Sequence, residues 1–201
     1  MPLLIVAGVS YLIGSVSFAV VVSRVYRLPD PREYGSGNPG ATNVLRSGRK
    51  SAAVLTLAGD SAKGWLAVFA TAQWAGDAVE TAMAVAAVAV ILGHMYPAFH
   101  RFKGGKGVAT ALGVLFGLNG MLALGTLATW IVIAVFFRYS SLAALVSAVF
   151  AAFFALILYN IAHPFVAAVT VIAVMLVWRH RGNIRNLMAG KESKLGAKAE
   201  T

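Results

Sequence analysis

Long apolar stretches alternate along this chain with short blocks that are polar, basic and rich in glycine. A helix needs about 17 to 25 predominantly apolar residues to cross a bilayer. Stretches of roughly that kind cover Pro2–Ser23, Ala52–Ala75, Ala78–Tyr96, Ser141–Tyr159 and Pro164–Trp178, with few charges inside them. The first has no basic residue ahead of it and no small-residue cleavage site, so it is expected to be a retained span and not a removable signal. Gly107–Phe137 is different: 31 nearly continuous apolar residues, interrupted only at Gly117-Leu118-Asn119-Gly120, where the Asn-Gly pair favours a turn. One long helix or two short ones fit this stretch.

Charge placement decides between them, because the two options put the C-terminal tail on opposite sides of the membrane. If Gly107–Phe137 crosses twice, every one of the seventeen Lys and Arg residues except Lys63 lies on one side, and Asp77 and Glu80 face the other. That is the bias of cytoplasmic loops toward positive charge. Crossing once would export Arg138 and the basic tail from Arg179 to Lys198. The expectation is therefore an all-α, polytopic membrane protein with seven transmembrane helices, N-terminus outside and C-terminus cytoplasmic. Its fourth helix, Gly107–Leu118, is 12 residues long, about 18 Å against a hydrocarbon layer of about 30 Å. A short or broken helix at membrane depth is tolerated where it lines protein or a watery cavity, which points to a site near Gly107. The whole chain, 1–201, reads as a single transmembrane domain.

Composition agrees: 59% of the 201 residues are hydrophobic and the mean hydropathy is +0.78, more apolar surface than one soluble core buries. The net charge of +10 would suggest nucleic acid for a soluble protein. In a membrane protein it reports topology and attraction to anionic lipid headgroups or anionic substrates, so no nucleic-acid partner is expected. Cysteine is absent, which excludes disulfides, thiolate metal sites and a cysteine nucleophile. No two histidines stand at metal-ligand helical spacing, and neither a metal nor an organic cofactor is expected.

The polar blocks hold the candidate chemistry. Tyr34-Gly-Ser-Gly-Asn-Pro-Gly-Ala-Thr-Asn-Val-Leu-Arg46 places Ser36, Asn38, Thr42 and Asn43 ahead of an arginine. Glycines let backbone N–H groups approach an anion, hydroxyls and amides add donors, and Arg46 can grip phosphate in bidentate fashion. A turn-rich connector has the same composition. In the block from Gly93 to Thr110, Lys103 and Lys106 bracket Gly104 and Gly105 just before a helix start, an arrangement suited to anions. It lacks the spacing of a Walker A loop, and a basic loop touching headgroups reads similarly. His94 beside it is a candidate base or a structural histidine, and His163 is expected to be incidental. His180 and Asn183 share a face if the last helix continues, or belong to a basic tail lying on lipid. Asp60 and Lys63 are three residues apart inside a span, so they are expected to pair in the interior, as glue or as a wall of the site.

Taken in order, Tyr11-Leu-Ile-Gly-Ser15, Gly35-Ser-Gly-Asn-Pro-Gly-Ala-Thr-Asn43 through Arg46, Asp60-Ser-Ala-Lys-Gly64, Gly93-His94 through Gly104-Gly-Lys-Gly-Val-Ala-Thr110, Tyr139-Ser-Ser-Leu142, and His180 through Asn183-Ile-Arg-Asn-Leu to Gly190-Lys-Glu192 resemble the bacterial acyl-phosphate:glycerol-3-phosphate acyltransferase family over nearly the whole chain. The resemblance implies an enzyme of phospholipid synthesis in the bacterial inner membrane, with its site facing the cytoplasm. It would move the acyl group of a fatty acyl phosphate to the 1-hydroxyl of glycerol-3-phosphate, leaving lysophosphatidic acid and phosphate. It also implies roles: Ser36, Arg46, Lys106 and Asn183 as catalytic, with Asn38, Thr42, Asn43, His94, Gly104, Gly105, Ser141, His180 and Glu192 as substrate-binding. Lys106 and the N–H groups near Gly104 and Gly105 would hold phosphate or the acyl carbonyl oxygen, and Glu192 would order the tail by pairing with basic neighbours. The His-x4-Asp signature of other glycerolipid acyltransferases is absent, so direct transfer without an acyl-enzyme is expected. A small transporter or channel for phosphorylated metabolites is the alternative, though the halves show no internal repeat. A non-catalytic scaffold that recruits lipid-synthesis enzymes through its basic face is a further one. Oligomeric state and acyl-chain preference have no signature in the sequence.

Overall fold

The computed structural model describes residues 2–197, so Lys198 lies outside the described residues. These residues form an all-helical bundle, with no strand among them. Its helices are α1 (Leu3–Ser15), α2 (Phe18–Val25), α3 (Ala41–Leu45), α4 (Lys50–Trp74), α5 (Val79–Met95), α6 (Val108–Leu118), α7 (Gly120–Phe137), α8 (Ser140–Leu158), α9 (Pro164–Arg179) and α10 (Arg181–Met188). Among the described residues four segments are long and apolar enough to cross a membrane: Leu3–Val25, Gly76–His100, Gly120–Phe137 and Ser140–Leu158. The pair α9 and α10, taken as one span, would make five. At 25 residues α4 has the length, but Asp60, Lys63 and small polar residues dilute its apolar character.

Helix ends explain the breaks. Backbone polar groups at membrane depth need internal partners, and the break between α1 and α2 at Val16 and Ser17 meets this through Lys63, whose Nζ donates to the Val16 carbonyl at 2.6 Å. The predicted turn in Gly107–Phe137 falls on Asn119, which leaves helical geometry with φ −163° and ψ 122°. Its side chain caps α7 by accepting from Leu122 N at 3.0 Å and donates to Tyr159 at 2.8 Å. The stretch is therefore two helices, with α6 only 11 residues long. His163, expected to be incidental, is structural instead. Its Nδ1 accepts from Phe165 N at 3.2 Å, capping α9, and its Nε2 lies 3.3 Å from Glu80.

Glycines set the tightest helix contacts. A Cβ at Gly14 would strike the Val90 carbonyl and one at Gly93 the Tyr11 carbonyl, so α1 and α5 touch backbone to backbone. Gly64 against the Thr110 carbonyl and Gly113 against the Ser61 carbonyl do the same for α4 and α6. The last helix corrects an expectation. It does not continue through His180; α9 ends at Arg179 and α10 leaves at 57° to it. The kink still leaves His180 and Asn183 bordering the same cavity.

Candidate active site

The two glycine-rich blocks, the start of α8 and the α9–α10 kink meet at one end of the bundle around a cavity of about 640 Å³. Its polar end is formed by Ser36, Asn38, Thr42, Asn43, Arg46, Lys106, Ser141, His180, Asn183 and Glu192, so the cavity gathers side chains from five separate stretches of sequence. Its remaining wall is largely apolar, with Leu57, Leu112, Leu115, Leu127, Ala148 and Ile172 from α4, α6, α7, α8 and α9. Asp60 and His94 also border it.

A single hydrogen-bonded chain crosses the polar end. Lys106 Nζ donates to Asn183 Oδ1 at 2.6 Å, and Asn183 Nδ2 donates to Glu192 Oε1 at 2.7 Å. Ser141 Oγ donates to the same Glu192 oxygen at 2.6 Å. Burial pushes the Lys106 ammonium below the ordinary lysine value; the Glu192 carboxylate works against that shift, while Arg179 and Arg46 add to it. The partners of Glu192 differ from the expected ones: among the described residues it pairs with no basic side chain and accepts from Ser141 and Asn183 instead. The tail then runs back to the start of α8, where Leu195 N donates to the Arg138 carbonyl at 2.6 Å.

The first block folds around Asn43, which is buried. Its Oδ1 accepts from Ser36 N at 2.9 Å, and its Nδ2 donates to the carbonyls of Pro31 at 2.7 Å and Tyr34 at 3.1 Å. Both halves of this amide are thus engaged inside the loop, and its effect is to fix Ser36. Gly35 and Gly37 have φ of 59° and 64°, the left-handed region that a residue with a Cβ enters at a cost. Thr42 Oγ1 lies 3.2 Å from Ser140 Oγ, tying this block to α8.

In the second block one N–H group of the expected anion cradle has a partner within the protein. Gly105 N donates to the His94 carbonyl at 3.2 Å, so this N–H is committed. The carbonyls of Gly104 and Gly105 accept from Arg179, at 2.8 Å and 3.1 Å from Nη2. Arg179 also stacks over the Tyr96 ring, 5.3 Å from its centroid. The turn is therefore clamped at its two glycine carbonyls and at the Gly105 N–H, and it presents Lys106 to the cavity. The clamp by Arg179 has no sequence signal, since it comes from the far end of α9. The tie to α1 was carried by the first matching piece: Tyr11 donates to the Tyr96 carbonyl at 2.7 Å, and Ser15 Oγ accepts from Ala98 N at 3.2 Å. His180, 3% exposed, donates from Nδ1 to the Leu176 carbonyl at 2.7 Å, since a carbonyl can only accept.

An apolar helical bundle whose cavity has a cationic, amide-rich end and a greasy wall defines an integral membrane protein with an amphiphilic cavity. The family model described as glycerol-3-phosphate acyltransferase matches residues 4–190. The glycerol-3-phosphate acyltransferase of Ralstonia pickettii is 63% identical over 197 residues, covering 96% of this chain and 94% of its own length. That of Ralstonia nicotianae is 61% identical over 194 residues, covering 96% and 93%. The crystal structure of PlsY (YgiH), an integral membrane glycerol 3-phosphate acyltransferase, in its glycerol 3-phosphate form, is similar with a TM-score of 0.90 at 35% identity, covering 96% of both chains. Its lysophosphatidic acid form gives 0.87 at 34% identity, covering 96% of this chain and 95% of that one. The chain belongs to the glycerol-3-phosphate acyltransferase family, and is an acyltransferase; the transporter and scaffold readings are set aside.

Proposed function

We propose that the enzyme moves the acyl group of a fatty acyl phosphate to the 1-hydroxyl of sn-glycerol-3-phosphate, giving lysophosphatidic acid and inorganic phosphate. One observation carries the reading: a single cavity joins a phosphate-compatible end, with Lys106 and Arg46, to an apolar wall from five helices. A greasy donor and a soluble acceptor, both phosphorylated, need that combination.

In the transfer the glycerol 1-hydroxyl oxygen attacks the acyl carbon, the bond from that carbon to the phosphate oxygen breaks, and a phosphate oxygen takes the hydroxyl proton. An acyl phosphate is a mixed anhydride with a good leaving group, so orientation and charge stabilisation supply most of the barrier reduction. Arg46, Ser36, Asn38 and Thr42 bind phosphate from the first block, with Asn43 holding Ser36 in place. Lys106 neutralises phosphate or the developing oxyanion. Ser141, His180 and Asn183 contact the acceptor, and Glu192 orients Asn183 and Ser141. No acyl-enzyme forms, and an acylated Ser36 found by mass spectrometry after donor alone would overturn this.

The domain spans the bacterial inner membrane seven times, N-terminus outside, with the site and the basic tail at the cytoplasmic face beside anionic lipids. The bias of its cations supports this topology. Because the chain has no cysteine, single cysteines at Asp77 and Lys194 should label from opposite sides of sealed vesicles. The function is tested with purified protein, acyl phosphate and glycerol-3-phosphate, following phosphate release. Turnover is expected, and folded protein that releases no phosphate refutes the donor.

A further inference from the structure

The acyl transfer itself uses neither Asp60 nor Lys63, yet both are charged groups inside the helical bundle, with side chains only 2% and 3% exposed. Lys63 Nζ stands 2.8 Å from Asp60 Oδ1 and 2.6 Å from the Val16 carbonyl, so the pair joins α4 to the break between α1 and α2. Stability alone is a weak account of such a pair, because a well-packed apolar pair of equal volume is often as stable or more so. Asp60 Oδ1 is also not used up. Besides the ammonium at 2.8 Å, it lies at the cavity wall 3.7 Å from His94 Nδ1. The same His94 nitrogen lies 3.2 Å from Thr110 Oγ1 on α6.

His94 in turn is the seat of the turn that presents Lys106. Its carbonyl accepts from Gly105 N, and a Cβ at Gly104 would strike that carbonyl. A Cβ at Gly105 would strike the imidazole Nε2, so the turn lies flat against the ring. Arg179 holds the two glycine carbonyls, leaving the turn fixed by His94 and Arg179 together.

We propose that Asp60, held by Lys63, is a positioning residue for acyl transfer: it fixes the His94 ring, and through it the placement of the Gly104–Lys106 turn against the substrate oxygens. The proposal rests on the assignment of Lys106 to substrate charge. Displacing a catalytic group by about 1 Å costs on the order of 10²-fold in rate, so a loosened seat acts on turnover more than on capture of the acceptor.

The test uses the full-length enzyme in detergent. Asp60→Asn combined with Lys63→Met removes both charges, leaving no orphan charge to unfold the bundle. The expected result is a thermal midpoint close to the parent's, kcat lower by about tenfold or more, and KM for glycerol-3-phosphate within about twofold. A folded double variant with the parent's kcat overturns the proposal. Should the double variant not fold, Asp60→Glu decides: it keeps both charges and moves the carboxylate by one methylene against His94, so kcat lower by about tenfold with KM for glycerol-3-phosphate within about twofold is expected. A folded Asp60→Glu enzyme with the parent's kcat overturns the positioning role. Lys106→Ala separates the two readings: full turnover in that variant refutes the assignment of Lys106, whereas its loss beside a full-speed charge-free variant refutes only the positioning role.

Discussion

Two polar clusters border the one cavity, and they are built in opposite ways. The Lys106–Asn183–Glu192–Ser141 chain sits at the end of the bundle, where α6 and α8 begin and α10 and the tail follow α9; its members are half-buried apart from Ser141, which is buried. The Asp60–Lys63–His94 cluster lies within α4 and α5, each member 7% exposed or less. In the first, every link is a side-chain hydrogen bond that an incoming phosphate or hydroxyl can replace. In the second, buried charges at the cavity wall are held by helices packed at close range, where rearrangement is costly. On the proposed reading the contrast is a division of labour: an exchangeable polar end for substrates, resting on a fixed base that sets its position.

The largest expected effects break the exchangeable end. Lys106→Ala and Arg46→Ala should each lower kcat/KM on the order of 10³-fold, as loss of a charge-stabilising donor does, while the thermal midpoint stays near the parent's. If either variant keeps most of its activity, substrate charge is not met there. Next, Glu192→Ala leaves the Ser141 hydroxyl and the Asn183 amide without their shared acceptor. About tenfold lower kcat/KM is expected, from misorientation and not from lost contact with substrate. Steady-state kinetics with both substrates varied is the measurement.

A finer cut uses pH. In the proposed transfer Lys106 serves as a cation, and burial already holds its pKa below the ordinary lysine value. Activity should therefore fall as pH rises, in a range below that in which an exposed lysine titrates. Glu192 supports the charged form, so Glu192→Gln should move this alkaline limb to lower pH; a limb that stays put or rises contradicts the coupling. The smallest effect serves as a control in neither cluster. Asn119→Ala removes the α7 cap and should cost about 1 kcal/mol of stability in denaturant titration, with specific activity unchanged.

Much of this is legible in the chain alone. Apolar length located the helices, the Asn-Gly pair located the break before α7, and the spacing of Asp60 and Lys63 implied their contact, because these are properties of adjacent residues. The glycine-rich blocks and Arg46, Lys106 and Asn183 were picked out as chemistry, and the structure brings them to one cavity. The seat of Gly105 on His94, the clamp by Arg179 and the partners of Glu192 were not legible. Lys106 and Asn183 are 77 residues apart, and Arg179 and Gly104 are 75 apart.

Hydropathy, charge bias and motif order are written in one dimension, and they suffice for a membrane-embedded helical chain, its family and the residue types available for phosphate. Which of those residues face substrate and which hold the others is settled in three dimensions. Asn43 and Gly105 show the reason: a side-chain amide or a backbone N–H is equally able to bind phosphate or another part of the protein, and its partner is chosen by how helices pack. Close glycine contacts between α1 and α5 and between α4 and α6 made that choice here, by setting how near the loops lie to His94 and to one another.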